Sequence, residues 1–301
     1  MTRSLTIGLP VFNGETRLTS CLDSLLAQTY PDFDLVIHDN ESTDRTAEIC
    51  REYERRDARV KYRRHSPQLQ QSMNFRTAVM EAETPYFMWA ADDDIWGSNF
   101  AEACIADLEA HPNAVCCTSR VTMRYPDGTS SPSRGTFAIC GSPLERVRTY
   151  LLNPRDSSRL YGVHRTAALK ASYPDGLTLF GWDWVVSCLT FLHGDHLQAD
   201  VVALERAGHG PGKYFEKYDR HFVRPPGVLG RLSWLFPLMP LTVELKRRLP
   251  PDIWRASRWR LVRLNLLQTL LLLTWKYPVL QGSFNLIRAA DRAVTSSTAR
   301  N

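Results

Sequence analysis

The chain has 301 residues, 44% of them hydrophobic and 23% charged, which suits one large globular domain or a domain with an appendage and excludes a mainly disordered polymer. Its formal net charge of +5 is modest but uneven, with much of the basic excess in the carboxy-terminal part. Cysteines at 21, 50, 104, 116, 117, 140 and 188 form no CxxC pair, which excludes a metal cage built on sulfur and predicts buried reduced thiols.

The amino terminus, MTRSLTIGLPVFNG, has no long apolar h-region and reaches a strand-like run at once. The expectation is a chain without a signal peptide, kept in the cytoplasm and at most peripheral on the inner face of the membrane. SLTIGLP and DLVIH predict the first two strands. Between them Leu18, Cys21, Leu22, Leu25 and Leu26 fall at i, i+3, i+4, i+7 and i+8, the apolar stripe of a helix covering the sheet. A second helix is expected to start with Ser42 or Thr43 as its cap and to run through Ala47, Cys50 and Tyr53 towards a short strand near Val60 and Tyr62. A third helix over 71–82, the strand PYFMWAA, a helix over 98–110 and the strand NAVCCTS complete the first half. RYPDGTSSPSRGTF holds a Pro-Asp-Gly turn and predicts a hairpin or an excursion over the sheet. The alternation of strands with helix-period segments predicts βαβ units and a mostly parallel, Rossmann-like sheet flanked by helices.

In the second half RLYGVHR predicts a strand leading into a short helix, GWDWVVSCLTFL a helix and HLQADVVALERA another strand. Beyond Arg224 the texture changes to apolar and basic segments broken by prolines at 237, 240, 250 and 251. We therefore divide the chain into a first domain over 1–225 and a helical, basic and apolar extension over 226–301.

The stretch YFMWAADDDIW runs six apolar positions straight into Asp92, Asp93 and Asp94. Adjacent carboxylates repel one another and resist desolvation, so the fold gains nothing from them without a cation or donors opposite. A solvated loop with an Asp-rich helix cap is the alternative. Ligands of open α/β sheets sit outside the carboxyl ends of the strands, and these ends are rich in polar groups: PVFNGE after the first, HDNESTD after the second, and the triple aspartate. The loop after the first strand offers Gly8 and Gly14 but no GxGxxG, so a dinucleotide pyrophosphate has no glycine cradle.

Together, IGLPVFNGETRLTSCLDSLLAQTYPDFDLVIHDNESTDRT, NF at 74–75, YFMWAADDD, YGVHR, GWD and the late ERAGH resemble the family 2 glycosyltransferases, inverting nucleotide-sugar enzymes of GT-A fold; the resemblance covers residues 4–212. It implies that Pro10, Val11, Phe12 and Asp39 hold a uracil or thymine, Asp39 accepting from the base N3–H, while Glu15 takes the ribose-side acid position. A helix-dipole carboxylate is the other role open to Glu15. The family's Asp-x-Asp-Asp, aligned through Ile95, places Ala91 at its first aspartate, Asp92 next, Asp93 at the metal ligand and Asp94 after it. Mn²⁺ or Mg²⁺ on hard carboxylate oxygens would neutralise the departing diphosphate. His209 matches a histidine that approaches the metal or diphosphate. Asn74 and Arg76 lie where the third helix faces the nucleotide, with Gln70 in place of the usual glycine. The family's Glu-Asp pair opening a helix corresponds to Trp182 and Asp183, so Asp183 is implied as the base that deprotonates the acceptor hydroxyl; complementing the helix N-terminus is its alternative role. Trp182 and Trp184 are candidates for stacking on the acceptor's sugar faces, or for the core.

The implied activity is transfer of a sugar from a UDP- or dTDP-sugar to a hydroxyl of a saccharide or lipid-linked acceptor in cell-surface polysaccharide synthesis. Two rivals remain. A nucleotidyltransferase would show a Gly-rich basic loop after the first strand, which is absent; a catalytically silent sugar-nucleotide-binding or membrane-associated scaffold is suggested by Ala91 and Trp182. In the tail, Lys246, Arg247, Arg248, Arg255, Arg258, Arg260 and Arg263 precede a Leu-rich run too short to span a bilayer. It fits a membrane-surface element, a helical hairpin packed on the first domain, or a homodimer contact equally well. No groove-reading motif points to nucleic acid.

Overall fold

The computed structural model describes residues 3–152, 154, 156–208 and 236–276. Among the described residues nine strands form a single sheet: β1 (Leu5–Val11), β2 (Phe33–Asp39), β3 (Val60–Arg64), β4 (Tyr86–Trp89), β5 (Ile95–Trp96), β6 (Ala114–Arg124), β7 (Ser130–Pro132), β8 (Val163–Arg165) and β9 (Asp195–Ala207). The order is β3-β2-β1-β4-β8-β6-β9-β5, with β7 on β6. β1 lies parallel between β2 and β4, and every one of its residues is buried, as an interior strand covered on both faces requires. β8 enters antiparallel between β4 and β6, while β6 and β9 run parallel.

The expected helices are present as α1 (Leu18–Leu26), α2 (Thr46–Arg56), α3 (Gln71–Met80) and α4 (Phe100–Ala110), and GWDWVVSCLTFL forms α7 (Trp182–Thr190). The α1 stripe is core: Leu18, Cys21, Leu22 and Leu25 are buried and Leu26 packs against them. α5 (Pro143–Leu152) was not anticipated, and RLYGVHR holds the end of a 3₁₀ turn (Ser157–Tyr161) and then β8, which leads into the expected short helix, α6 (Thr166–Ala171). The start of α2 needs correcting. Ser42 and Thr43 lie ahead of the helix, and its first free amides are met by Glu15, which accepts from Arg45 N at 3.0 Å, and by Asp44, which accepts from Thr46 N at 3.0 Å. Six cysteines are buried as expected; Cys140 is exposed.

Residues 236–276 supply α8 (Met239–Arg248) and α9 (Pro251–Lys276). Leu241, Leu245, Leu261 and Leu264 join the core, so the described part of the extension packs on the first domain. α9 donates through Arg260 to the Arg148 carbonyl and through Arg263 to the Leu152 carbonyl at 2.5 Å, both on α5. No helix among the described residues is long and apolar enough to cross a membrane. The boundary drawn at 225/226 lies outside the described residues.

The strand order reverses at β1, which has β2 and β3 on one side and β4 on the other. Crevices outside the carboxyl ends of strands at such a switch point are where open α/β sheets bind ligands. Here the loops after β1 and β4 meet, and Gly14 makes the meeting close: a Cβ on it would lie 2.7 Å from the Asp92 carboxylate.

Candidate active site

The loops after β1 and β2 are laced together. Asn13, in the left-handed region at φ 49°, donates its N–H to Ser42 Oγ at 2.9 Å and accepts from Thr43 N through its side chain at 2.9 Å. Asn tolerates that conformation better than most residues. Gly14 N donates to Thr46 Oγ1 at 2.8 Å and Glu15 N to Asp44 at 3.1 Å. Glu15 thus ties the two loops and caps α2. Pro10 and Val11 are buried in β1, whereas Phe12 is 46% exposed just beyond the strand end, an aromatic surface at the switch point. Asp39 is fully buried beside Val11. Its Oδ1 accepts from Ser42 N at 2.9 Å and its Oδ2 from Tyr62 Oη at 2.6 Å and Arg64 at 3.1 Å. Arg64 also donates to the Ser42 carbonyl and forms the partly exposed outer side of this cluster.

Asn74 donates to the His38 carbonyl at 3.0 Å, clamping α3 to the end of β2, and its Oδ1 is buried without a partner. Arg76 pairs with Asp175 at 2.7 Å. That exposed carboxylate was no part of the sequence expectation, which set Arg76 facing the nucleotide.

The three aspartates form a turn between β4 and β5, closed by Asp94 N donating to the Ala91 carbonyl at 3.2 Å, and they have separate surroundings. Asp92 accepts from Arg17 at 2.6 Å; burial raises its pKa, against the pull of that guanidinium. Asp94 is buried and has both oxygens bonded to β9, accepting from Arg206 Nε at 3.0 Å and Ala207 N at 2.9 Å. Burial raises its pKa too, with Arg206 opposing. The short strand β5 then pairs with Leu204 and Glu205, holding the turn against the end of β9. Asp93 sits between them, half-buried. The Cys21 thiol below donates to the Ala91 carbonyl at 3.2 Å, and burial, then the three carboxylates, raise its pKa well above the ordinary value.

Asp183 stands in the first turn of α7, next to Gly181, whose φ of 76° favours glycine. It accepts from Trp184 N at 3.0 Å and from the Ser157 hydroxyl, and burial raises its pKa despite these bonds. Ser157 opens the 3₁₀ turn, whose N-cap Asp156 accepts from Ser158 N at 3.0 Å. The next side chain, Ser158, accepts from Arg206 at 3.1 Å, and the Arg206 guanidinium lies 4.2 Å from the centre of the Tyr161 ring. The buried Tyr161 phenol has its pKa raised by burial first, and it feels Arg206, Asp94, Asp93 and Asp183 together. The aspartate turn and Asp183, 89 positions apart between residues 94 and 183, therefore converge on one partly buried arginine and one buried tyrosine.

Trp182 packs between Phe75, with ring centres 5.0 Å apart, and Tyr173, stacked at 5.7 Å; Trp184 is also partly buried on the core. His209 lies outside the described residues. Sequence reasoning missed Arg17, Ser157, Ser158, Tyr161 and Arg206. ERAGH had singled out the segment containing Arg206, but its partners are distant in sequence.

Among the described residues no group of three or more His, Cys, Asp or Glu side chains is placed to hold an ion. Magnesium in phosphate-transferring sites is commonly held by one or two carboxylates together with substrate phosphates and water rather than by an all-protein cage. With Asp94 committed to Arg206 and Asp92 paired with Arg17, the turn fits an ion shared with a diphosphate, for which Asp93 would be the carboxylate to hold it.

A family model described as Glycosyl transferase family 2 matches residues 6–170. Glycosyltransferase GlyA of Streptococcus pneumoniae serotype 4 is 41% identical over 58 residues, covering 19% of this chain and 8% of that protein, so the chain spans a small fraction of this relative's length. The crystal structure of S. aureus TarS 1-349 in complex with UDP-GlcNAc superposes with a TM-score of 0.55 at 17% identity, covering 98% of this chain and 91% of that one. The mannosyltransferase PcManGT from Pyrobaculum calidifontis in complex with GDP-Man and Mn2+ gives 0.56 at 14% identity, covering 99% and 85%. At these identities the likeness speaks for the fold.

Proposed function

The chain belongs to glycosyl transferase family 2 and has the GT-A fold, and from that premise we propose that it is an inverting glycosyltransferase acting on a UDP- or dTDP-sugar. The observation that carries this reading is the convergence of the Asp92–Asp94 turn and Asp183 on Arg206 and Tyr161, at a switch point edged by the exposed Phe12. The acceptor is a saccharide or lipid-linked hydroxyl in cell-surface polysaccharide synthesis.

In this mechanism the base rests at Pro10–Phe12 and its N3–H reaches Asp39, taking the place on Oδ2 that Arg64 holds here. Glu15 and Asn74 border the ribose side, and Arg76 leaves Asp175 to meet phosphate. Asp93 would hold the divalent ion, which when bound would neutralise charge building on the diphosphate, while Asp94 stays on Arg206 and Ala207 and His209, the other expected ligand, lies outside the described residues. Trp182 and Trp184 border the acceptor. Asp183 takes the proton of the attacking hydroxyl as a new bond forms between its oxygen and the anomeric carbon. The bond from that carbon to the diphosphate oxygen breaks on the opposite face, and its electron pair leaves with the nucleoside diphosphate. Burial suits Asp183 to this work, since a raised pKa makes a carboxylate a stronger base.

The test is thermal unfolding with UDP, dTDP and GDP, each with and without Mn²⁺. A ligand at a hundred times its Kd stabilises the folded state by about 2.7 kcal/mol, enough for a readable shift in Tm. The pyrimidine nucleotides should raise Tm more than GDP, and Mn²⁺ should enlarge the difference. Equal shifts with GDP would refute the base assignment, and the absence of slow donor hydrolysis would favour a silent binder.

A further inference from the structure

We propose that the exposed face of α9 seats this protein on an anionic lipid bilayer. The fold divides the seven cations that precede the Leu-rich run into two sets. Arg260 and Arg263 turn inward to the carbonyls of α5. Lys246, Arg247 and Arg248 at the end of α8, with Arg255 and Arg258 on α9, are exposed, although Arg247 and Arg248 also reach Glu244. Alongside them Trp259 is 70% exposed, Val262 42% and Leu266 50%. At 3.6 residues per turn these three side chains fall within about 60° of arc, with Arg255 among them. The opposite face of the helix buries Leu261, Leu264, Asn265 and Gln268.

A contiguous apolar stripe rimmed with charge marks a contact surface, whereas singly scattered apolar residues need no explanation. Tryptophan with Val and Leu, flanked by arginines whose guanidinium groups reach headgroup phosphates, is the composition of a helix lying in the plane of a membrane interface. The Arg258 guanidinium already lies 5.5 Å from the Trp259 ring centre, so charge and aromatic ring are presented together. Asp252, in the first turn, is the single acid of α9. A symmetric dimer through this face would bring each copy's arginines towards the other's, which disfavours a second copy as the occupant.

The face is also fixed relative to the candidate base. α9 is tied to α8 by Asn265 donating to Thr242 at 2.9 Å, and α8 packs Leu241 against Gly181, next to Asp183. A bilayer bound here would hold α7 in one orientation to the membrane, which suits an acceptor carried on a lipid. That consequence rests on the glycosyltransferase reading; binding to lipid does not.

The full chain is sedimented with vesicles of phosphatidylglycerol in phosphatidylcholine and with vesicles of phosphatidylcholine alone, at low salt. Binding to the anionic vesicles only, weakening as salt is raised, is expected. Arg255→Gln with Arg258→Gln should weaken it by about thirtyfold and flatten the salt dependence. Trp259→Ser with Leu266→Ser should cost at least about tenfold, with an unchanged melting curve because both side chains are exposed. Arg55→Glu, an exposed cation on α2, should have little effect. The proposal is overturned if the intact protein ignores fully anionic vesicles, if both double variants bind as wild type does, or if the serine variant instead splits a dimer seen by sedimentation velocity. Donor binding measured on the same preparation separates failure here from failure of the glycosyltransferase reading.

Discussion

Asp183→Asn discriminates between a base and a helix cap. Asn keeps the shape: its Oδ1 still accepts from Trp184 N, and its Nδ2, in the place of Oδ2, donates to the Ser157 hydroxyl oxygen once that hydroxyl turns. Two hydrogen bonds to a charged acceptor become neutral ones, a loss of about 1 kcal/mol. Against this, burial already disfavours the charged carboxylate, as its raised pKa shows, and the neutral amide escapes that cost. The net effect on stability should be small. Losing a general base instead removes about 10²- to 10⁴-fold from kcat, or about 3 to 5 kcal/mol of barrier, with donor affinity nearly unchanged. The pH dependence adds an independent check. Wild-type kcat should fall as pH drops through the raised Asp183 pKa, above the ordinary 3.8, because only the ionised carboxylate accepts the proton. In the same window the folded state holds the proton more tightly than the unfolded state, so this group's contribution to stability declines as pH rises. The variant lacks both dependences, and it should gain stability relative to wild type as pH increases. The assay is transfer kinetics beside donor titration and thermal melts across pH. Transfer at near wild-type rate, or an acid limb that survives in the variant, would refute the assignment.

Asp93→Ala should stay folded and lose the part of UDP binding that Mn²⁺ stimulates, measured by titration calorimetry with and without chelator. Arg206→Met should destabilise the fold by about 3 to 5 kcal/mol, because it leaves the buried Asp94 unpaired; the midpoint of urea unfolding reads this directly. Pairing it with Asp94→Asn should restore most of that loss, and an additive double variant would show that the two side chains act independently.

The first half of the fold was legible because its elements carry their own patterns. The α1 stripe repeats at helical spacing, and β1 and β2 are apolar runs of strand length. Elements defined by a partner left weaker marks. β5 is two residues long and exists by pairing with Leu204 and Glu205, and β6 extends to Arg124 along the parallel β9. Cap chemistry misled at α2, since Ser42 accepts from Asn13 in the neighbouring loop, leaving Glu15 and Asp44 to meet the helix. Within the site, sequence could place carboxylates at strand ends but could not divide their work. Asp94 reaches a partner 112 residues away and Asp92 one 75 residues away, separations on which local periodicity is silent.

The Asp94–Arg206 pair shows why the triple aspartate need not be read as three metal ligands. A buried ion pair is weak evidence of net stabilisation, since desolvation offsets much of its attraction, but it fixes geometry where its remaining atoms are also bonded. Arg206 bonds Asp94 and Ser158 and stacks on Tyr161, while Asp94 takes a second bond from Ala207. Ser157, adjacent to Ser158, holds Asp183. One arginine thus links the turn that carries Asp93 to the 3₁₀ segment that orients Asp183. It thereby fixes the turn after β4 relative to the first turn of α7. That link explains why Asp94 is an aspartate although burial raises its pKa.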